Sequence, residues 1–313
     1  MGDLSASVRC VVSSVDLVVR IEPHDPEATL RRVFVADSVV TYEGDGFLVH
    51  RAFPSPAVSM VDPFLLLDEM GPTTYAPGEA KGAGDHPHRG FETVTYVLSG
   101  EIEHRDSTGG GGVIGPGDVQ WMTAGAGVIH SEMPTSRILS EGGEIHATQL
   151  WVNLPRAAKM VPPKYQAVGA SEIPQVEVEG LLVRIVAGEI GGAKGPVSPR
   201  TPIFYGHLRV DGSADCEVVL SETANSFLYV LKGEVQVGDV RVGAHQVAVA
   251  PAGAGRIPLA GAGSPAELLL VAGEPLREPV ARLGPFVMNT REEILQAVED
   301  FRAGRLAATP PSA

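Results

Sequence analysis

An internal duplication constrains the fold of this 313-residue chain more than any other feature of its sequence. The segment TYVLSGEI at residues 95–102 returns as LYVLKGEV at 228–235, and TAGAG at 123–127 returns as PAGAG at 251–255. The offsets are 133 and 128 residues (233 − 100 and 255 − 127), and the two pairs keep the same order along the chain. The sequence therefore predicts two copies of one domain, which this length accommodates.

The local pattern of both copies favours β-structure. An apolar, β-branched run ends at a glycine turn, and an alternating segment such as 233–237 follows. The 37 glycines and 25 prolines, with only 5% aromatic residues, suit short strands joined by tight turns better than a helical bundle. We therefore predict an all-β chain of two tandem jelly-roll β-barrels.

The predicted domain boundaries follow from the repeats and from the prolines between them. A capping box from Thr290 to Glu293 precedes apolar residues at helical spacing, Ile294, Ala297, Val298 and Phe301, and so predicts a short C-terminal α-helix. The predicted units are an N-terminal extension (1–40), a metal-binding barrel (41–155), a hinge (155–165), a second barrel without metal ligands (165–288), the helix (290–304) and a loose tail (306–313).

Candidate metal ligands concentrate between residues 86 and 132. His86 and His88 stand two positions apart, as do His130 and Glu132. In a strand, residues i and i+2 project from the same face, so each pair can point into one barrel interior. Two neighbouring strands would then offer three imidazoles and one carboxylate to a single divalent ion. This donor set suits iron first, with manganese, nickel, copper or zinc as alternatives, and it leaves coordination positions open.

Two further residues have open roles. Glu92 lies four residues after His88 and is therefore expected on the same strand face, where it is predicted either to ligate the metal or to accept a hydrogen bond from a ligating histidine. His104 has no ligand-type partner at i+2, so we expect it near the pocket rim. The second copy has Val219, Ser221, Pro258 and Ala260 at the positions that the two offsets assign to the ligands, so one metal per chain is expected.

Net charge and cysteine content exclude several classes of function. A net charge of −14 and a pI near 5.1 argue against direct binding of nucleic acid, because an acidic surface repels phosphates. Two cysteines, Cys10 and Cys216, are too few for a disulfide framework and are expected to be free thiols. No apolar run reaches the length of a membrane span, and charges interrupt residues 1–21, so a cytoplasmic protein is expected.

Six stretches of the sequence resemble the pirin family, and the resemblance extends from about residue 45 to 305. They are 62–69 (DPFLLLDE), 86–93 (HPHRGFET), 117–125 (GDVQWMTAG), 149–155 (QLWVNLP), 272–279 (AGEPLREP) and 284–290 (GPFVMNT). The resemblance implies a bicupin, that is, two cupin barrels, with one iron in the first. It also implies His86, His88, His130 and Glu132 as ligands and leaves Glu92 off the metal. Residues 1–40 exceed what the family usually carries before its first strand.

The resemblance implies two different activities. One is a quercetin 2,3-dioxygenase, in which a flavonol and dioxygen react at the metal, Glu132 takes the proton of the 3-hydroxyl, and a ring-opened product and carbon monoxide leave. The alternative is a metal- or redox-sensing module that regulates a protein partner, a transcription cofactor or a metabolic enzyme. We favour the oxidoreductase. Trp121 and Met122 are interpreted either as pocket lining or as barrel core.

Overall fold

The structure, a computed structural model, describes residues 17–306. Cys10, most of the predicted tail and the first part of the predicted extension lie outside the described residues. Strands account for 54% of the described residues, which also include two α-helices. The prediction of an all-β protein built from two cupin barrels with a short C-terminal helix is confirmed.

The strands follow one another in chain order. The first thirteen are β1 (Val18–Pro23), β2 (Phe34–Asp37), β3 (Val39–Glu43), β4 (Phe47–Phe53), β5 (Phe64–Tyr75), β6 (Ala83–His88), β7 (Phe91–Ser99), β8 (Ile102–Asp106), β9 (Gly111–Ile114), β10 (Val119–Thr123), β11 (Val128–Pro134), β12 (Gly143–Asn153) and β13 (Lys164–Val168). The others are β14 (Gln175–Val178), β15 (Leu181–Ala187), β16 (Glu189–Ile190), β17 (Ala193–Lys194), β18 (Ile203–Val210), β19 (Asp215–Val219), β20 (Asn225–Lys232), β21 (Glu234–Val237), β22 (Val240–Gly243), β23 (Gln246–Ala250), β24 (Ile257–Gly261), β25 (Ala266–Gly273), β26 (Ala281–Leu283) and β27 (Phe286–Met288).

Each barrel consists of two sheets. In the first, a seven-stranded sheet in the order β13, β10, β7, β12, β5, β4, β3 faces a four-stranded sheet in the order β6, β11, β8, β9. In the second, the order β14, β15, β18, β25, β20, β23, β2 faces the order β17, β16, β1, β19, β24, β21, β22. The shared order around β7 and β20 reproduces the duplication seen in the sequence.

The chain passes between the barrels more than the predicted boundaries suggest. Within the predicted extension, β1 pairs with β19 and β2 pairs with β23, so the described part of this segment completes both sheets of the second barrel. In the other direction, β13 pairs with β10 and forms an edge of the first barrel, although the second barrel was expected to begin at residue 165. Strands β1 and β2, which precede the first barrel in the sequence, therefore belong to the second barrel, and β13 belongs to the first.

The two large sheets pack against each other. Their facing side chains form one apolar cluster, to which the first barrel contributes Val94, Tyr96 and Trp121 and the second contributes Phe227 and Leu269. A separate apolar cluster fills the interior of the second barrel. The first barrel instead has smaller apolar groups, around Val97 and around Met122, and it also buries the polar side chains of His88, His104 and His130. This contrast places the chemistry in the first barrel.

Two α-helices accompany the strands. Helix α2 (Arg291–Arg302) has Thr290 as its N-cap, and the capping box with Glu293 is present. Its residues Ile294 and Ala297 pack against Phe286 and Met288 of β27. Helix α1 (Ser136–Glu141), which the sequence analysis missed, is a short helix that follows β11. Within residues 17–306, neither helix is long and apolar enough to cross a bilayer.

Candidate metal centre

Two adjacent strands bring three histidines together inside the first barrel. β6 and β11 run antiparallel, with His86 opposite His130 and His88 opposite Val128. The ring centroids lie 4.2 Å apart for His86 and His130, and 4.8 Å apart for His88 and His130. One ligand atom from each of the three rings lies within 4.8 Å of those of the other two, a separation at which they could hold one ion.

Glu132 lies beside this group. Its carboxylate forms a second, overlapping group with His130 and His104, again within 4.8 Å, so His130 belongs to both sets. Thr95 Oγ1 donates to one carboxylate oxygen over 2.7 Å, and Gln149 Nε2 donates to the other over 2.9 Å. These two bonds fix the carboxylate's direction and leave further lone pairs on both oxygens. The structure therefore brings all four sequence-predicted residues to one place.

Hydrogen bonds decide which nitrogen each histidine can offer to a metal. His86 Nδ1 lies 2.8 Å from the carbonyl oxygen of Gly84, and His88 Nδ1 lies 3.4 Å from that of Pro285. Because a carbonyl only accepts, both Nδ1 atoms carry the hydrogen, and a neutral ring then keeps its lone pair on Nε2. His88 Nε2 is buried and has no hydrogen-bond partner among residues 17–306.

A series of buried hydrogen bonds gives His130 the same tautomer, with the hydrogen on Nδ1 and the lone pair on Nε2. His104 Nε2 faces the Asp106 carboxylate at 3.2 Å and therefore carries a hydrogen, which makes His104 Nδ1 an acceptor. Gln120 Nε2, at 2.7 Å, and His130 Nδ1, at 3.4 Å, both face this acceptor. His130 Nε2 is left buried without a partner, like that of His88. Two buried imidazole nitrogens without a partner among residues 17–306, on rings whose ligand atoms lie within 4.8 Å of each other, fit a bound metal ion.

The electrostatics of the cluster favour neutral imidazoles. Burial, together with the neighbouring His130 and His86, holds the pKa of His88 well below its ordinary value. Burial and the neighbouring His86 and His104 lower the pKa of His130 in the same way. A metal competes with protons for these lone pairs, so lowered pKa values keep the ligands ready to bind near neutral pH.

His104 corrects one expectation from the sequence. It was expected at the pocket rim, but its side chain is fully buried behind His130 and stacks on Tyr165 with ring centroids 5.0 Å apart. Both of its nitrogens are engaged, by Asp106 on one side and by Gln120 and His130 on the other. His104 therefore orients His130, a role typical of residues that surround metal ligands.

Glu92 lies away from the cluster. It is fully buried and accepts hydrogen bonds from Thr123 Oγ1 at 2.7 Å and from the backbone N–H of Arg200. Burial raises its pKa. The expectation that it shares a strand face with His88 was wrong, because β6 ends at His88 and β7 begins at Phe91, and the alternation of faces does not continue through the intervening turn. Gly90 makes that turn at φ 90°, where an added Cβ would meet Val287 O.

An open cavity of about 700 Å³ leads to the histidines. That volume is typical of a small-molecule site. It is lined by His86, His88, Glu132, Gln149 and Trp151 around the cluster, and further out by Arg51, Asp68, Arg282 and Pro285. Neither Trp121 nor Met122 lines it: Trp121 lies in the apolar contact between the barrels, and Met122 packs against Ala124 and Val128.

Sequence reasoning missed most of the cavity wall. Gln149 and Trp151 alternate on β12 and could have been found by extending the i, i+2 rule to that strand. Arg282 and Pro285 carried no signal, because they belong to the hairpin of β26 and β27 near the C-terminus, far from the histidines in sequence.

The second barrel shows the same strand pairing without the donors. His86 pairs with His130 in the first barrel, and Val218 pairs with Ile257 in the second; likewise Glu132 pairs with His104, and Leu259 with Val237. The ligand positions therefore correspond to Val218, Leu220, Ile257 and Leu259, one residue before those that the repeat offsets assigned. These four side chains are buried in the apolar interior of the second barrel, so none can bind a metal.

We therefore predict one tightly bound metal ion per chain. Elemental analysis of the purified protein should return one equivalent, and His86→Ala should lower it, because one of the three imidazole ligands is removed. Two equivalents in the wild type, with the second retained in His86→Ala, would contradict the assignment of a single site.

Two tandem β-barrels, one with a buried histidine cluster and one filled by apolar side chains, define a bicupin with one candidate metal centre. Residues 46–152 match the family model described as Pirin, and residues 205–307 match the one described as Pirin C-terminal cupin domain. The chain belongs to the pirin family.

Relatives and solved structures agree with this assignment. A Pseudomonas aeruginosa protein named provisionally as a quercetin 2,3-dioxygenase is 44% identical over 266 residues, which cover 84% of this chain and 93% of the relative. Human pirin is 42% identical, over 83% of this chain and 88% of its own length. A crystal structure of quercetin 2,3-dioxygenase from Acinetobacter baumannii, 38% identical, matches with a TM-score of 0.83 over 89% of this chain and 99% of that one.

Proposed function

We propose that this chain is a metal-dependent oxidoreductase of the quercetin 2,3-dioxygenase type, which opens a flavonol ring with dioxygen in its first barrel. The metal would be a single iron(II) ion held by His86, His88, His130 and Glu132. The observation that carries the proposal is the open cavity lined by His86 and His88, together with the buried Nε2 atoms of His88 and His130, which have no hydrogen-bond partner among residues 17–306. The likeness to proteins named for this activity supports it.

When bound, the metal would supply Lewis-acid polarisation and a common binding place for the substrate anion and dioxygen. The rest of the chemistry falls to side chains. Glu132 lines the cavity and is aimed by Thr95 and Gln149, so it is placed to accept the proton of an incoming hydroxyl group. A fixed base removes the need to reorganise solvent during that transfer.

The cavity wall favours a flat aromatic substrate. The Trp151 ring lies edge-on to His88, with centroids 5.2 Å apart, and offers an apolar surface beside the cluster. Trp151 Nε1 donates to Gln149 Oε1 at 3.3 Å, which ties this ring to the residue that orients Glu132. A flavonol suits this arrangement, because its 3-hydroxyl and 4-carbonyl can chelate a metal while its rings lie along the tryptophan.

The test is aerobic bleaching of quercetin by iron-loaded protein. We expect loss of the visible absorption of quercetin in air, with matching oxygen consumption, and no loss under anaerobic conditions. A flavone without the 3-hydroxyl should be inert, because it offers Glu132 no proton and the metal no chelate.

Unchanged quercetin in air would contradict the proposal. If, in addition, the ferrous and ferric forms bound a protein partner with different affinity, the redox-sensing module would be the better account. The change of one charge at a partly open site would then act on a neighbouring surface.

A further inference from the structure

Arg282 lines the metal cavity but forms no ion pair with a carboxylate in the described part of the chain. It lies on β26, and its Cζ is 4.8 Å from the centroid of the Trp151 ring. Its one hydrogen bond to the described part of the protein is a long one, 3.4 Å from a guanidinium nitrogen to the carbonyl oxygen of Leu65. Among residues 17–306, no carboxylate forms an ion pair with it. Most of its five N–H donors are therefore free to face the cavity.

The other arginine of the cavity wall, Arg51, is paired with two carboxylates. Arg51 forms two bonds to the Asp68 carboxylate, at 2.8 and 2.6 Å, and a third to Glu43 at 2.6 Å. Asp68 and Glu43 are thus already occupied by Arg51. Burial, and then the nearby charge of Arg51, lower the pKa of Arg282, and the attraction of Asp68 and Glu43 does not offset these two effects.

The Trp151 ring connects Arg282 to the metal cluster. The Trp151 indole contacts both, with its ring centroid 5.2 Å from that of His88 and 4.8 Å from Cζ of the Arg282 guanidinium, which lies over the ring. A flat molecule that binds with two oxygens near His88 and extends along Trp151 would bring its far end to Arg282. The other free charges of the lining, Asp45 and Asp85, are exposed at the rim, where solvent and salt screen them.

We infer that Arg282 is a specificity-determining residue, which selects aromatic substrates with a carboxylate at the end distal from the metal-chelating oxygens. The inference rests on the function proposed above for the same site and names its substrate class. The planar guanidinium matches a carboxylate in two parallel hydrogen bonds, which an ionised phenol cannot form.

The experiment measures equilibrium binding to zinc-loaded protein, in which the ion has no redox chemistry and no turnover can occur. Quenching of tryptophan fluorescence reports the titration of two probes, 3-hydroxyflavone and its 4′-carboxylate, with the 4′-hydroxyl analogue as a third arm. Arg282→Gln removes the charge, and Arg282→Lys retains it without the planar fork. Arg241→Gln on β22 is the matched control, because it removes one exposed arginine of the second barrel.

We expect the wild type and Arg241→Gln to bind the carboxylate more tightly than 3-hydroxyflavone. Arg282→Gln should weaken the carboxylate about 10- to 100-fold, the range for a lost hydrogen bond to a charged group, and leave 3-hydroxyflavone nearly unchanged. Arg282→Lys should be intermediate. The unchanged affinity for 3-hydroxyflavone also shows that each variant is folded.

Equal affinity of the wild type for 3-hydroxyflavone and its carboxylate, or an equal loss of both in Arg282→Gln, would overturn the inference. So would a preference for the 4′-hydroxyl analogue over the carboxylate. Carboxylate selection by Arg282 without any oxygen consumption by the iron-loaded protein would support Arg282 as the recognition residue and contradict only the dioxygenase.

Discussion

Glu132→Gln should abolish flavonol turnover and weaken the metal site, whereas Glu92→Gln should leave most of the metal bound. The amide that replaces the Glu132 carboxylate would be a poor ligand and could not accept the substrate proton. We therefore expect kcat to fall about 10²- to 10⁴-fold, the usual contribution of a general base. Metal content after dialysis and oxygen consumption with quercetin measure the two effects separately.

Glu92 is the matched control because it is also a buried glutamate of the first barrel. It bonds to Thr123 and to the backbone of Arg200 instead of the histidines, so its loss should cost at most about 10- to 100-fold in metal affinity. Melting curves of both variants establish that they are folded. Retained metal in Glu132→Gln combined with complete loss in Glu92→Gln would show that Glu92, and not Glu132, belongs to the ligand set.

Among the substitutions considered, Lys159→Met is expected to lower the free energy of unfolding the most. The Lys159 ammonium is buried and donates to Gly90 O at 2.8 Å, Asn153 Oδ1 at 2.7 Å and Val287 O at 3.0 Å. Burial lowers its pKa to about 8, so the ammonium persists at neutral pH. Methionine fills the space but leaves three acceptors without a donor, each at a cost of about 1–3 kcal/mol. We expect the free energy of unfolding to fall by about 3 kcal/mol or more.

Lys159→Met should also weaken binding of the metal. Gly90 lies two residues after His88, and Val287 lies two residues after Pro285, whose carbonyl oxygen faces His88 Nδ1. Lys159 therefore holds together the two segments that position this ligand, and its loss should weaken metal binding about 10- to 100-fold. Lys164→Met, at an exposed position of β13, is the control and should stay within about 0.5 kcal/mol of the wild type in denaturant unfolding. Equal unfolding midpoints for the two variants would contradict the role given to Lys159.

The sequence was sufficient for those features that depend on local spacing. The alternation of faces within one strand put His86 with His88 and His130 with Glu132, and both pairs do share a face in the structure. The capping box likewise placed Thr290 at the start of α2, because its bonds join residues only three apart. The chemical types at the repeat positions were also enough to expect a second barrel without metal ligands.

Only the tertiary structure decided what depends on pairing between distant segments. Register is set by hydrogen bonds between strands and by turn geometry, neither of which the repeat alignment contains. The pairing of Val218 with Ile257 shows that the alignment was offset by one residue from the structural correspondence. The turn at Gly90 broke the alternation that had linked Glu92 to His88. Arg282 enters the cavity because a hairpin near the C-terminus packs over the first barrel, a long-range contact that no spacing in the sequence encodes.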